Sequence, residues 1–215
     1  MDEIKWPPRL LRVLRDHLGN VEHPIEPRTT PLSTKPTQRS VLSFLLDIND
    51  AVRERSGASA SVTLCCENLV LDMIEQCCGF SFLSSKERRT INLAATQREK
   101  RLESRNMGKR RRVEQDSGAV SAGPTRSALS SQPKASVEAT DARTTRTRKC
   151  AAVLPVEYLL RFFVALPSLL AHYDKLSGCA MPASYKQPLW DYVNAVLDIM
   201  KDIDFIDQSD HVPLR

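Results

Sequence analysis

Cys65-Cys66 and Cys77-Cys78 come nearest, by type and spacing, to a chemical site, because paired thiols are common ligands of structural zinc. If both pairs ride one helix, the step from Cys66 to Cys77 separates them by about 16 Å, whereas zinc holds its sulfurs at about 2.3 Å. One pair could still meet Cys150, Cys179 or a histidine across the body; the competing reading makes these thiols small buried hydrophobes. His17, His23, His172 and His211 are widely spaced, with no His-Glu-x-x-His or Gly-x-Ser-x-Gly arrangement near them. Asp198, Asp202, Asp204 and Asp207 form an acidic patch without the glycine turn of an oxygen-ligand cage, so a solvated face is the better account. The sequence places no thiol beside a base, so no catalytic residue, metal or cofactor is expected.

The strongest short linear signal is Lys109-Arg110-Arg111-Arg112, preceded by Lys100-Arg101. Clustered cations in an exposed segment meet acidic receptor grooves or phosphates, which reads as a nuclear localisation element or a nucleic-acid contact. The plain alternative is a solubilising charge run. No aromatic residue interleaves with it, which disfavours stacking on single-stranded bases.

These residues must be positioned by a chain of 215 residues that is 41% apolar, enough to bury a core. Seven glycines leave little room for phosphate-cradling loops or the close turns of a β-sandwich, so the composition leans to helices. The formal charge is +5, but residues 98–149 hold fourteen basic and six acidic residues, while the rest of the chain is net acidic. All twelve Phe, Trp and Tyr residues lie outside that stretch. It is therefore expected to be a basic insertion, disordered from roughly Arg105 to Lys149 with Arg98–Ser104 continuing a helix, between two ordered parts, 1–97 and 150–215. No signal peptide or membrane-spanning run is visible, and the thiols are expected to be reduced.

Leu10, Leu11, Leu14 and Leu18 share one face of a short first helix, expected to stop at Gly19-Asn20. Pro24, Pro27, Pro31 and Pro36 forbid regular structure before a second helix capped at Thr37 or Ser40, with a stripe of Val41, Leu42, Phe44, Leu45, Ile48 and Val52. A third helix, about Ser61–Cys78, shows Leu64, Cys65, Leu69, Met73, Ile74 and Cys77 at helical spacing. Phe80–Leu83 reads as a turn or strand fragment, and Ser84-Ser85-Lys86-Glu87 has capping-box spacing before a charged helix through Ile91 and Leu93. After the insertion, Pro155 suits a first helical turn, and Tyr158, Leu159, Phe162, Phe163, Leu166, Leu169 and Leu170 are apolar almost all round, with a kink or break expected at Pro167. Pro182 and Pro188 are expected in the loop before a last helix, Leu189 to about Ile203, with Trp190, Val193, Val196, Leu197 and Met200 inside. The fold class is all-α: a helical bundle with one short extended element.

The segment Val156-Glu157-Tyr158-Leu159-Leu160-Arg161-Phe162-Phe163-Val164-Ala165-Leu166-Pro167 resembles the signature helix of the MRG domain family. The order of other features agrees with that family: a first helix after a proline, a Pro31-Leu32 connector, and a third helix ending at Gly79. Glu87-Arg88, Asp191-Tyr192 and the closing Ser209-Asp210-His211-Val212-Pro213 are similar to its later motifs.

The resemblance implies an MRG-like bundle acting as a non-catalytic adaptor in histone acetyltransferase or deacetylase assemblies in the nucleus, without an N-terminal chromodomain. It further implies a hydrophobic groove beside the first helix that takes partner peptides, with Leu14, Leu18, Leu83, Tyr158, Phe162 and Trp190 as candidate lining residues. Leu83, Tyr158, Phe162 and Trp190 read equally well as plain core. A membrane is not an expected partner, and the alternative function is nucleic-acid binding through the basic insertion.

Overall fold

In a computed structural model that describes residues 4–22, 28–29, 39–79, 81–116, 148–205 and 212–213, the chain is all-α. Among the described residues six helices follow one another: α1 (Pro8–Glu22), α2 (Val41–Ser56), α3 (Ala60–Cys77), α4 (Ser85–Asp116), α5 (Glu157–Ser177) and α6 (Ala183–Met200). Two short strands, β1 (Arg28–Thr29) and β2 (Val212–Pro213), pair antiparallel, with Arg28 opposite Pro213.

Local chemistry explains the helix ends. Extended Ser40 accepts the Ser43 N–H on its Oγ at 3.2 Å and starts α2. Gly57, with φ of 65°, ends that helix in the left-handed region where a glycine costs least. Ser59 starts α3 in the same manner, accepting the Val62 N–H. At α4 the capping box is reciprocal: the Glu87 N–H donates to Ser84 Oγ at 3.3 Å, and the Ser84 N–H donates to Glu87 Oε2 at 2.8 Å.

Residues before position 98 and after position 149 share one core, in which Leu10, Phe44, Leu45, Leu71, Ile74, Ile91, Leu154, Leu159, Phe163 and Val196 are buried together. α2 packs on α3 and α6, α3 packs on α6, and α1 lies on α5. The chain just before α5 also caps α2. The Val41 and Leu42 N–H groups, orphaned at the start of that helix, donate to Leu154 O and Ala151 O at 2.8 and 2.9 Å.

Several expectations need correction. α1 does not stop at Gly19-Asn20 but runs to Glu22, and its buried face is Leu10, Leu14 and His17, with Leu11 exposed. α3 turns a different face inward: Leu64 is 52% exposed and Cys65 is exposed, while Thr63, Cys66, Glu67, Val70, Leu71, Ile74 and Cys77 are buried. Glu67 is tolerated there because Asn49 Nδ2 donates to its carboxylate.

In α4, Ile91 is buried but Leu93 is exposed. The helix continues past Ser104 to Asp116, so Lys109–Arg112 lie on helical backbone. Arg148, expected within the disordered stretch, is instead buried. α5 begins at Glu157, two residues after Pro155, and runs unbroken through Pro167, whose ring lies on the exposed side.

α6 starts at Ala183 and contains Pro188, where the helical pattern leaves only the Ser184 carbonyl without its usual donor. Leu189, Tyr192 and Ala195 join Val193, Val196, Leu197 and Met200 on its buried side, and Trp190 is half-buried. The expectation that Pro24, Pro27, Pro31 and Pro36 forbid regular structure is overturned at Arg28–Thr29, where the backbone groups between two of these prolines pair with Val212–Pro213 as β1. Those prolines themselves, with Thr37, His23, His211, Asp207, Ser209 and residues 117–147, fall outside the described residues.

Candidate functional site

The residues singled out for the groove are mostly core. Tyr158 and Phe162 are fully buried, Leu14 and Leu83 nearly so, and Leu18 and Trp190 are half-buried. The Phe162 ring meets the edge of Phe82 at 5.6 Å and tilts against Phe163 at 6.0 Å. Phe82 itself holds φ of 35°, a conformation rare for a side chain of that size.

Tyr158 is held by polar chemistry as well as packing. Its Oη donates to Glu87 Oε1 at 2.7 Å, Arg161 Nη1 donates to the same oxygen at 2.7 Å, and Arg161 Nη2 reaches Oε2 at 3.3 Å. With the Ser84 N–H, four donors converge on one carboxylate whose side chain has no exposure. His17 of α1 stacks edge-on against the Tyr158 ring at 4.8 Å, so α1, α4 and α5 meet at this point. A carboxylate so enclosed has no room for a substrate. Its bonds join α4 to α5 while pairing the buried Arg161.

The open site lies elsewhere. A cleft of about 560 Å³ is formed where α3, α5 and α6 come together around the 178–182 loop. Val62, Cys65 and Leu69 line one side, Tyr173 the second, and Met181 and Tyr185 the third. Tyr185 is 70% exposed and Tyr173 58%, both well above the norm for aromatic residues. That volume falls within the usual range for ligand sites, and the lining is almost wholly apolar.

The loop wall is fixed by Asp174. Its Oδ1 accepts the Met181 N–H at 2.8 Å and its Oδ2 accepts Lys186 Nζ at 2.6 Å. The bond from Lys186, then that from the Met181 N–H, holds the Asp174 carboxyl below its ordinary range. Gly178, with φ of 65°, supplies the left-handed turn that ends α5 and opens the loop.

Cys66 lines the floor of the cleft, and burial, with smaller contributions from Cys65 and Asp191, pushes its thiol up to about 11. At neutral pH that thiol is protonated and a poor nucleophile. What the cleft presents is shape and a largely apolar surface.

Cys65-Cys66 lie in the second turn of α3 and Cys77-Cys78 at its end, and among the described residues no group of three or more His, Cys, Asp or Glu could hold a metal ion. The acidic patch is met by cations: Asp198 pairs with Arg55 and Lys201, Asp202 with Arg55 at 3.9 Å, and Asp204 with Arg9 at 3.7 Å. No helix among the described residues is long and apolar enough to cross a membrane. Sequence reasoning missed the cleft because Tyr173 and Tyr185 stand outside every apolar stripe. An aromatic that no stripe needs was the available signal.

Comparison with protein-family models, with curated proteins and with solved structures finds no match.

Proposed function

We propose that the protein is a non-catalytic adaptor of nuclear histone-modifying assemblies that binds apolar segments of partner subunits. The observation that carries the binding part of this reading is the cleft between α3, α5 and α6, bordered by the exposed Tyr173 and Tyr185. An apolar hollow with hydroxyl-bearing aromatic rims suits a short hydrophobic segment, whose side chains fill it while the phenols bond its backbone. The chromatin setting is supported by the MRG-like segment Val156–Pro167 and by the Lys109–Arg112 run.

The test is affinity capture of the full chain from nuclear extract, scored for histone acetyltransferase or deacetylase subunits. Tyr173→Ser with Tyr185→Ser is expected to abolish that capture while leaving the fold intact. Equal capture by the double variant would reject the cleft as the docking surface, and absence of such subunits from the parent capture would reject the adaptor reading.

A second reading, phosphate contact by the cationic stretch, is favoured by the helicity of α4 through Asp116. Arg98, Arg101, Arg105, Lys109 and Arg112 occupy positions at steps of three and four, which places them along one side of the helix. That reading requires duplex binding that weakens steeply with salt and disappears when residues 105–147 are deleted.

A further inference from the structure

Where the chain returns from the insertion, it docks along one side of α3. Arg148, itself buried, donates from Nη2 to Asn68 Oδ1 at 2.5 Å and to Asp72 Oδ1 at 3.3 Å. Two residues on, the Cys150 and Ala151 N–H groups donate to the two oxygens of Glu75 at 3.1 and 2.7 Å. The next position in the series is Cys78, one turn beyond Glu75, and its thiol neighbours that of Cys150. Asn68, Asp72, Glu75 and Cys78 follow at steps of four, three and three, which is one side of a helix and its last turn. The returning chain is thus held in register, and that register brings Cys150 to the end of α3, beside Cys78.

The two sulfurs are not equivalent. Cys78 is 3% exposed and Cys150 is half-buried, so solvent reaches Cys150 first. Cys65 and Cys66 begin twelve or more residues back along α3, about 18 Å away by helical rise, and Cys179 is exposed in the loop after α5. Only Cys77, beside Cys78, is a serious competitor.

We propose that Cys78 and Cys150 form a reversible disulfide when the protein meets hydrogen peroxide, stapling the returning chain to the end of α3. The Cys150 thiolate attacks one peroxide oxygen, the O–O bond breaks, and hydroxide leaves, giving Cys150 sulfenic acid. The Cys78 sulfur then attacks the Cys150 sulfur, the S–O bond breaks, and the oxygen departs as water with the Cys78 proton. The proton released when Cys150 ionised neutralises the hydroxide. In sum, two thiols and one peroxide give one disulfide and two waters, and a dithiol reductant reverses the change by exchange.

The local chemistry suits these roles. The hydrogen bond from Cys78 favours a thiolate at Cys150 and holds it below the ordinary thiol range, against the opposing effects of burial and Glu75. The same contact, with burial, keeps Cys78 protonated. Cys150 is accordingly the attacking thiol and Cys78 the resolving one.

The experiment uses the full reduced chain treated with one equivalent of hydrogen peroxide, followed by intact mass and disulfide mapping after digestion. The expected result is a loss of about 2 Da, a Cys78–Cys150 linkage, and full reversal by dithiothreitol. The same linkage is expected in Cys77→Ser, and none in Cys150→Ser or Cys150→Ala. Linkage of Cys77 to either neighbour, intermolecular linkage alone, or gain of oxygen mass without loss of hydrogen would overturn the proposal. Should the Cys150 variants fail to fold, the linkage map of the parent chain and of Cys77→Ser decides the matter. The proposal is independent of the adaptor reading, since it concerns bonds within this chain alone.

Discussion

Tyr158 Oη donates to Glu87 Oε1 at 2.7 Å across a sequence separation of 71 residues, fixing the start of α5 against the start of α4. The bond links the two halves of the chain through a carboxylate that also belongs to a capping box. One side chain therefore both initiates a helix and anchors a tertiary contact.

Removing only the hydroxyl isolates that bond. Tyr158→Phe is expected to lower the unfolding free energy by about 1.5–3 kcal/mol, the range for a bond to a charged acceptor. Glu87→Gln is expected to cost about 3–5 kcal/mol, because it leaves the buried Arg161 without its counter-charge. Urea denaturation of both variants beside the parent chain checks the order, and a Tyr158→Phe loss as large as that of Glu87→Gln would contradict it.

The anchor at the re-entry point invites a similar comparison. Arg148→Met keeps much of the volume and removes the charge that bonds Asn68 and Asp72. A loss of about 1–3 kcal/mol is expected, together with faster amide exchange at Cys150 and Ala151 as the neighbouring contacts to Glu75 loosen. Unchanged exchange at those two amides would show that Glu75 alone holds the segment.

At the cleft, pH acts through Asp174. Its carboxyl is held below the ordinary aspartate value of 3.8, so the bonds to Lys186 and the Met181 N–H persist in mild acid. A group depressed in the folded state stabilises it above the unfolded value, and that contribution disappears as pH falls through the folded one. NMR titration of the Met181 amide is expected to show the loop releasing only below 3.8. Release at or above that value would contradict the assignment.

Cys66 gives a chemical check from the other direction. With its thiol raised to about 11, iodoacetamide at pH 8 is expected to modify exposed Cys65 and Cys179 well before Cys66. Because the folded state keeps this proton where the unfolded state loses it, stability is expected to fall as pH rises past 9.0, the ordinary thiol value, towards 11. Early labelling of Cys66 in peptide maps would refute the burial that raises it.

How far the sequence could be read depended on how cleanly polar residues marked the solvent side. In α2 all six stripe positions are buried, since Ser43, Asp47, Asp50 and Arg53 leave one face unambiguous. In α3, Leu64, Cys65 and Cys66 and then Leu69, Val70 and Leu71 supply apolar residues on several faces, so periodicity could not choose between them. The inner face also contains Glu67, which an apolar pattern rejects but Asn49 makes tolerable.

The capping box at Ser84 was legible because it is local. The convergence of Tyr158 and Arg161 on its glutamate was not, because those partners lie more than 70 residues along the chain. Prolines misled at α6, where Pro188 sits inside the helix. Gly19 misled at α1, which continues beyond it. Of the groove candidates, Leu18 and Trp190 keep part of their surface open, whereas the cleft rests on Tyr173 and Tyr185, which no pattern had selected.

Lys149 Nζ lies 2.8 Å from Glu99, so positions 99 and 149 stand side by side and bracket everything between them, the outer half of α4 included. A loop whose two ends are already neighbours can be lengthened or trimmed cheaply, each doubling of its span costing about 0.6 kcal/mol in closure entropy. This is the place on the molecule where evolution or an engineer can splice in a foreign module, or open the backbone to make new termini, and leave the remaining architecture undisturbed.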